Sequence, residues 1–131
     1  MAVISSRYPH RDAQLEQQLR ALFPEVGDAA IEFLRQHLRW VELPAGETLI
    51  RQGEVGDSAY LTISGRVRVY VATDEQAPRV VRELSRGEVI GEMSLYTGEP
   101  RSATVVAVRD SVLVQLDKPQ FEELVLRYPQ V

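Results

Sequence analysis

Residues 59–71 read AYLTISGRVRVYV. In the second half Val67, Val69 and Val71 alternate with Arg68 and Tyr70. An extended chain sends successive side chains to opposite faces, so this run presents one apolar and one polar side. Ala59 to Ile63 reads as a strand before it, and Ser64-Gly65 as a tight turn between the two. The same rhythm continues in both directions. Upstream, Trp40 to Leu43 and Thr48 to Ile50 flank Pro44-Ala45-Gly46; downstream come Val80 to Leu84, Val89-Ile90, Ala103 to Val108 and Val112 to Leu116. Asp110 marks a hairpin turn between the last two. Many short strands with glycine-rich turns predict a mainly-β fold, an antiparallel eight-stranded jelly-roll β-barrel.

Helical spacing frames these strands. Leu15, Leu19 and Leu22 recur along one face until Pro24. Asp28 is placed to cap a second helix carrying Ile31, Leu34 and Leu38. After Asp117-Lys118-Pro119, residues Phe121, Leu124 and Val125 restore the helical period, with proline tolerated in a first turn. Residues 1–11 show no period and are expected to form a flexible arm. The expected domain covers 12–128: helices over 12–39, a β-roll over 40–117, and the start of a C-terminal helix over 118–128.

At 131 residues the chain suits one domain, and its 44% hydrophobic and 26% charged residues are ordinary for a globular protein. The net charge of −4 and scattered arginines argue against a nucleic-acid surface. Without cysteine there are no disulfides or thiolate metal sites. No apolar run is long enough to span a bilayer, and the N-terminus lacks a signal-peptide core. The expected location is cytoplasmic, or the cytoplasmic face of a membrane protein, with no membrane contact by the domain itself.

One segment breaks the strand rhythm. Residues 91–104, GEMSLYTGEPRSAT, place a short helical turn over Glu92–Tyr96 between two β runs, and Glu92 precedes Arg101 by nine positions (101 − 92). A helix start offers unpaired N–H groups and partial positive charge. Arg101 supplies a planar fork of donors for phosphate oxygens, while an ionised Glu92 accepts from hydroxyls. Gly91 permits close backbone approach, and Ser102 and Ala103 can add donors beside the guanidinium. Phosphate and hydroxyls together describe a sugar phosphate.

Gly91-Glu92-Met93-Ser94 followed by Pro100-Arg101-Ser102-Ala103-Thr104 resembles the phosphate-binding cassette of cyclic nucleotide-binding domains. Leu43-Pro44-Ala45-Gly46-Glu47, Gln52-Gly53, Gly56-Asp57, Tyr60-Leu61 and Ser64-Gly65 are similar to the family's early strands and turns, so the resemblance covers roughly residues 28 to 128. It implies that Glu92 binds the ribose 2′-hydroxyl, that Arg101 binds the cyclic phosphate, and that Gly91, Met93, Ser94, Ser102 and Ala103 belong to the same site. Family members preferring guanine often carry threonine directly after the arginine; Ser102 stands here, so cAMP is expected rather than cGMP. The resemblance further implies that the cassette and the following helix move together, with Leu95, Phe121 and Leu124 coupling ligand to an effector domain beyond Val131. Residues 82–110 look most like modules fused to patatin-like lipases or small mechanosensitive-type channels, and a bacterial source is expected.

Blander readings stand beside this. Glu92 and Arg101 could form a surface ion pair, and an intact cassette could belong to a structural or interaction domain that binds nothing. Met93 and Leu95 suit core or hinge contacts. His10 and His37 fall outside the β-roll, so no metal set and no catalytic base for Ser94, Ser102 or Thr104 is visible. No catalytic residue, cofactor or metal is expected.

Overall fold

The computed structural model describes residues 2–4 and 9–129. In chain order the elements are β1 (Ala2–Ile4), α1 (Pro9–Leu22), α2 (Asp28–His37), β2 (Arg39–Leu43), β3 (Thr48–Ile50), β4 (Ser58–Ser64) and β5 (Arg66–Val71). These are followed by β6 (Arg79–Ser85), β7 (Val89–Ile90), α3 (Glu92–Thr97), β8 (Thr104–Ala107), β9 (Ser111–Asp117) and α4 (Lys118–Arg127). The first sheet runs β1-β2-β9-β4-β7 and the second β3-β8-β5-β6, with antiparallel pairing throughout. The mainly-β antiparallel jelly roll is therefore present, as two sheets rather than one closed barrel.

Two apolar layers explain the strand patterns. Val41, Leu43, Tyr60, Ile90 and Leu113 of the first sheet meet Val67, Val69, Leu84 and Val105 of the second, filling the sandwich. On the outer face of the first sheet, Trp40, Leu61, Ile63 and Val114 pack against Leu15, Leu19, Ile31 and Leu34 of the two N-terminal helices and Leu124 of α4. The first sheet is thus covered on both faces, and β4 is buried from Ser58 through Ile63. The second sheet meets solvent, so Val67 and Val69 of β5 are buried between more exposed neighbours.

Three expectations change. Ser64-Gly65 and the Asp110 turn are not hairpins, because β4 and β5, like β8 and β9, belong to different sheets. The chain crosses between layers there, and Ser111 at one corner accepts from Arg66 N at the other, 3.1 Å away. Asp28 is the first residue of α2, after an N-cap at Gly27, and makes no side-chain cap; its carboxylate instead meets Arg20 at 2.9 Å. The expected arm contributes β1, which pairs Ala2↔Glu42 and Ile4↔Trp40, and α1 begins at Pro9 rather than Asp12.

Candidate functional site

The chain leaves the sandwich at buried Ile90, turns through Gly91, forms α3, and returns to the second sheet by way of residues 98–103. Gly91 adopts φ 78°, and a Cβ there would lie 2.4 Å from Nη1 of Arg101. Only glycine fits both the left-handed backbone and the adjoining guanidinium. The arginine's own backbone is fixed by reciprocal bonds to a neighbouring turn: Gly53 N donates to Arg101 O, and Arg101 N to Glu54 O, each at 2.8 Å.

This positions a buried cation. Arg101 is 6% exposed. Its Nη1 donates to Gly91 O at 3.1 Å, and its Nη2 to Ser58 O at 2.8 Å and Ser58 Oγ at 3.2 Å. Among the described residues no carboxylate lies within ion-pair distance of it, and Glu92 and Arg101 do not pair with each other. Carbonyl and hydroxyl oxygens orient the fork but carry no net charge, so the positive charge is unneutralised. A buried charge is costly unless paired, and this one faces an open cleft of about 490 Å³.

Gly91, Glu92, Met93, Ser94, Arg101, Ser102 and Ala103 all line that cleft. Their roles differ with exposure. Glu92 and Ser102 are exposed, whereas buried Ser94 donates its hydroxyl to Glu99 O at 3.3 Å and so holds the turn. Met93, expected as a core or hinge contact, is 61% exposed. The opposite wall comes from β5 and β6, where Val69, Val71, Val81 and Leu84 offer apolar surface and Arg82 a second cation. The cleft thus has a cationic floor, two exposed acids, Glu92 and Glu99, and an apolar wall.

Sequence reasoning passed over Gly56, Ser58 and Tyr60. Ser58 anchors the guanidinium and donates its hydroxyl to Tyr60 Oη at 3.2 Å. A Cβ on Gly56 would lie 2.3 Å from Ser94 Oγ and 3.0 Å from Arg101 Nε, so side-chain volume is excluded there. Gly56 and Tyr60 stood in the motif, but only as turn and strand residues. Nothing in the spacing reveals that β4 begins beneath an arginine 43 residues later (101 − 58).

Leu95, Phe121 and Leu124 line one apolar cavity of about 140 Å³ between the helices and the first sheet. Across it, the rings of Tyr96 and Phe121 meet edge to face, 5.0 Å between centroids. Glu92 borders both this cavity and the cleft. Away from the site, hydrogen bonds from Arg68 and then Arg66 hold the Glu83 carboxyl below the usual carboxylate range. Among the described residues there is no cluster of three metal-ligating side chains, and no helix is long and apolar enough to cross a membrane.

The family model of the cyclic nucleotide-binding domain matches residues 40–128. Rat patatin-like phospholipase domain-containing protein 7 is 38% identical over 102 residues, 76% of this chain. Lysophospholipase nte1 of Aspergillus fumigatus is 32% identical over 128 residues, 98% of this chain. The chain spans only 8% of the length of either relative. These relatives are animal and fungal and do not support the expected bacterial source. Among solved structures, the regulatory domain of Toxoplasma gondii PKA, crystallised with cAMP, superposes with a TM-score of 0.84 at 27% identity, covering 92% of this chain and 47% of that one. Thermus thermophilus catabolite activator protein gives 0.76 at 31% identity, covering 83% and 51%. The matched region is a ligand-binding module and not a catalytic one. Motif, jelly roll and family match agree: this chain belongs to the cyclic nucleotide-binding domain family.

Proposed function

We propose that the cleft takes a purine 3′,5′-cyclic nucleotide without chemical change, and that its occupancy regulates an effector in a longer protein. The observation that carries this is Arg101, a 6% exposed guanidinium with no carboxylate partner among the described residues, facing the cleft. The cyclic phosphate supplies the missing negative charge and accepts from the fork. Glu92 on the rim accepts from the ribose 2′-hydroxyl, and the valines of β5 and β6 cover the base. The likeness to patatin-like phospholipases supports an effector that hydrolyses lipids, with the regulatory domain on the cytoplasmic side.

We favour cAMP, because Ser102 follows the arginine and its shorter side chain reaches less far toward a base. Arg82 supports a second reading, since a guanidinium bonds O6 and N7 of guanine in a bidentate manner. Calorimetric titration with each nucleotide tests both. Saturable heat with tighter cAMP supports the first reading. Tighter cGMP that is lost in Arg82→Ala supports the second, and no heat with either reduces the chain to a spacer of the same fold.

A further inference from the structure

We infer that the hydroxyls of Ser58 and Tyr60 are positioning groups that fix the orientation in which the Arg101 guanidinium meets a bound anion; the anion's identity rests on the proposed function. A guanidinium has five N–H donors. Here Ser58 provides two acceptors to the same nitrogen, its carbonyl at 2.8 Å and its hydroxyl at 3.2 Å from Nη2. With Gly91 O on Nη1, the protein fixes the distal end of the fork. The donors left without a protein acceptor are Nε–H and one N–H of Nη1; Nη2, which Ser58 occupies, is the nitrogen beside Nε–H, so the two free donors point apart and each meets an acceptor singly.

The hydroxyl's direction is itself set. Ser58 Oγ accepts from Arg101 and donates to Tyr60 Oη, and all three side chains belong to residues no more than 6% exposed. A lone serine hydroxyl rotates; one whose proton is held by a phenol oxygen keeps its lone pair on the guanidinium. The order Arg101, Ser58, Tyr60 is thus a relay of orientation in which the tyrosine does not reach the ligand. Its position also explains why a strand start packed against apolar neighbours retains two hydroxyls.

The test uses Ser58→Ala, Tyr60→Phe and Ser58→Thr, with cAMP and its Sp and Rp phosphorothioates, in which sulfur replaces one or the other exocyclic phosphate oxygen. Losing one neutral hydrogen bond weakens cAMP binding by about 2- to 12-fold in Tyr60→Phe, and Ser58→Ala, which also removes an acceptor of the Arg101 charge, weakens it further. A fork free to reorient also reduces the Sp-to-Rp affinity ratio, while Ser58→Thr restores both quantities. Nitrogen-15 NMR of the ligand-free protein reads rotation about the Arg101 Cζ–Nη bonds, slow in wild type and faster in Tyr60→Phe. Tyr60→Phe removes a single oxygen and keeps the ring, which protects the fold. An unchanged ratio and unchanged rotation in both hydroxyl-deleted variants overturns the positioning role. So does an affinity loss with an unchanged ratio that threonine fails to rescue. Wild-type protein that binds no cyclic nucleotide yet shows slow Arg101 rotation, released in Tyr60→Phe, overturns the proposed function and leaves the positioning role standing.

Discussion

Among the described residues, Arg101 is the one buried charge that lines the cleft. Three oxygens hold it, from Gly91 and Ser58, and none is a carboxylate. Its charge is therefore oriented but uncancelled, which favours an anion at low reorganisation cost. Arg101→Lys keeps the charge and loses the fork, while Arg101→Ala loses both. Removing one partner of a buried charge-assisted contact costs about 2 to 5 kcal/mol, roughly thirty- to several-thousand-fold in affinity. Calorimetry should place alanine at that level and lysine between it and wild type; equal affinities for all three would remove Arg101 from the site. Glu92 lies on the exposed rim, so its effect should be smaller. Glu92→Gln retains a hydroxyl acceptor but not its charge. It should narrow the difference between cAMP and 2′-deoxy-cAMP, and equal binding of the two by wild type would exclude the ribose role.

At the scale of elements, α3 touches the cleft with one side and the helical layer with the other. Leu95 is 5% exposed, so trimming it would cost stability as well as communication. Tyr96 is 67% exposed and still meets the Phe121 ring, making it the cleaner probe of coupling. Tyr96→Ala should reduce ligand-induced NMR shifts of residues 118–127 more than it reduces affinity; unchanged shifts would place the coupling elsewhere. A second path is visible, because Lys118 N at the start of α4 donates to Asp57 O, next to the serine holding Arg101. The β5–β6 pairing offers a pH test. The Arg68 and Arg66 hydrogen bonds lower the folded-state value of Glu83 from 4.5, so its stabilisation is present above 4.5 and disappears as pH falls through the folded value. The melting-temperature advantage of wild type over Glu83→Gln should be present at neutral pH and vanish on acidification; a pH-independent difference would exclude the ion pair as its source. All eight strands expected from the sequence occur, as does the short helix, because alternation, glycine punctuation and the loss of β-branching at Met93-Ser94-Leu95 are local signals. The corners at Gly65 and Asp110 were not legible as crossings, since a turn between sheets and a turn within one use the same residues. Ser58 and Tyr60 were hidden for a related reason: their partner is brought by topology and not by spacing.

The whole molecule joins two apolar layers through one shared sheet. Trp40 and Val41, Tyr60 and Leu61, and Leu113 and Val114 are adjacent pairs divided between the two cores. Neither layer can open without exposing a face of the strands that support the other, so a single cooperative unfolding transition is expected. The cleft draws on both sheets, with Arg101 anchored to β4 of the first and the apolar wall supplied by β5 and β6 of the second. A ligand bound there stabilises the entire folded state. With free ligand at 100 times its dissociation constant, linkage adds about 2.7 kcal/mol. For a domain of this size that corresponds to a melting shift of roughly 8 to 13 °C, rising logarithmically with further ligand. Arg101→Ala should cut the shift to about a third or less at the same concentration, even where its unliganded melting temperature is itself lowered by losing the bonds to Ser58 and Gly91. Two separate transitions in calorimetry, only one of them moved by nucleotide, would show instead that the sandwich and the helical layer unfold independently and that binding to one is not felt by the other.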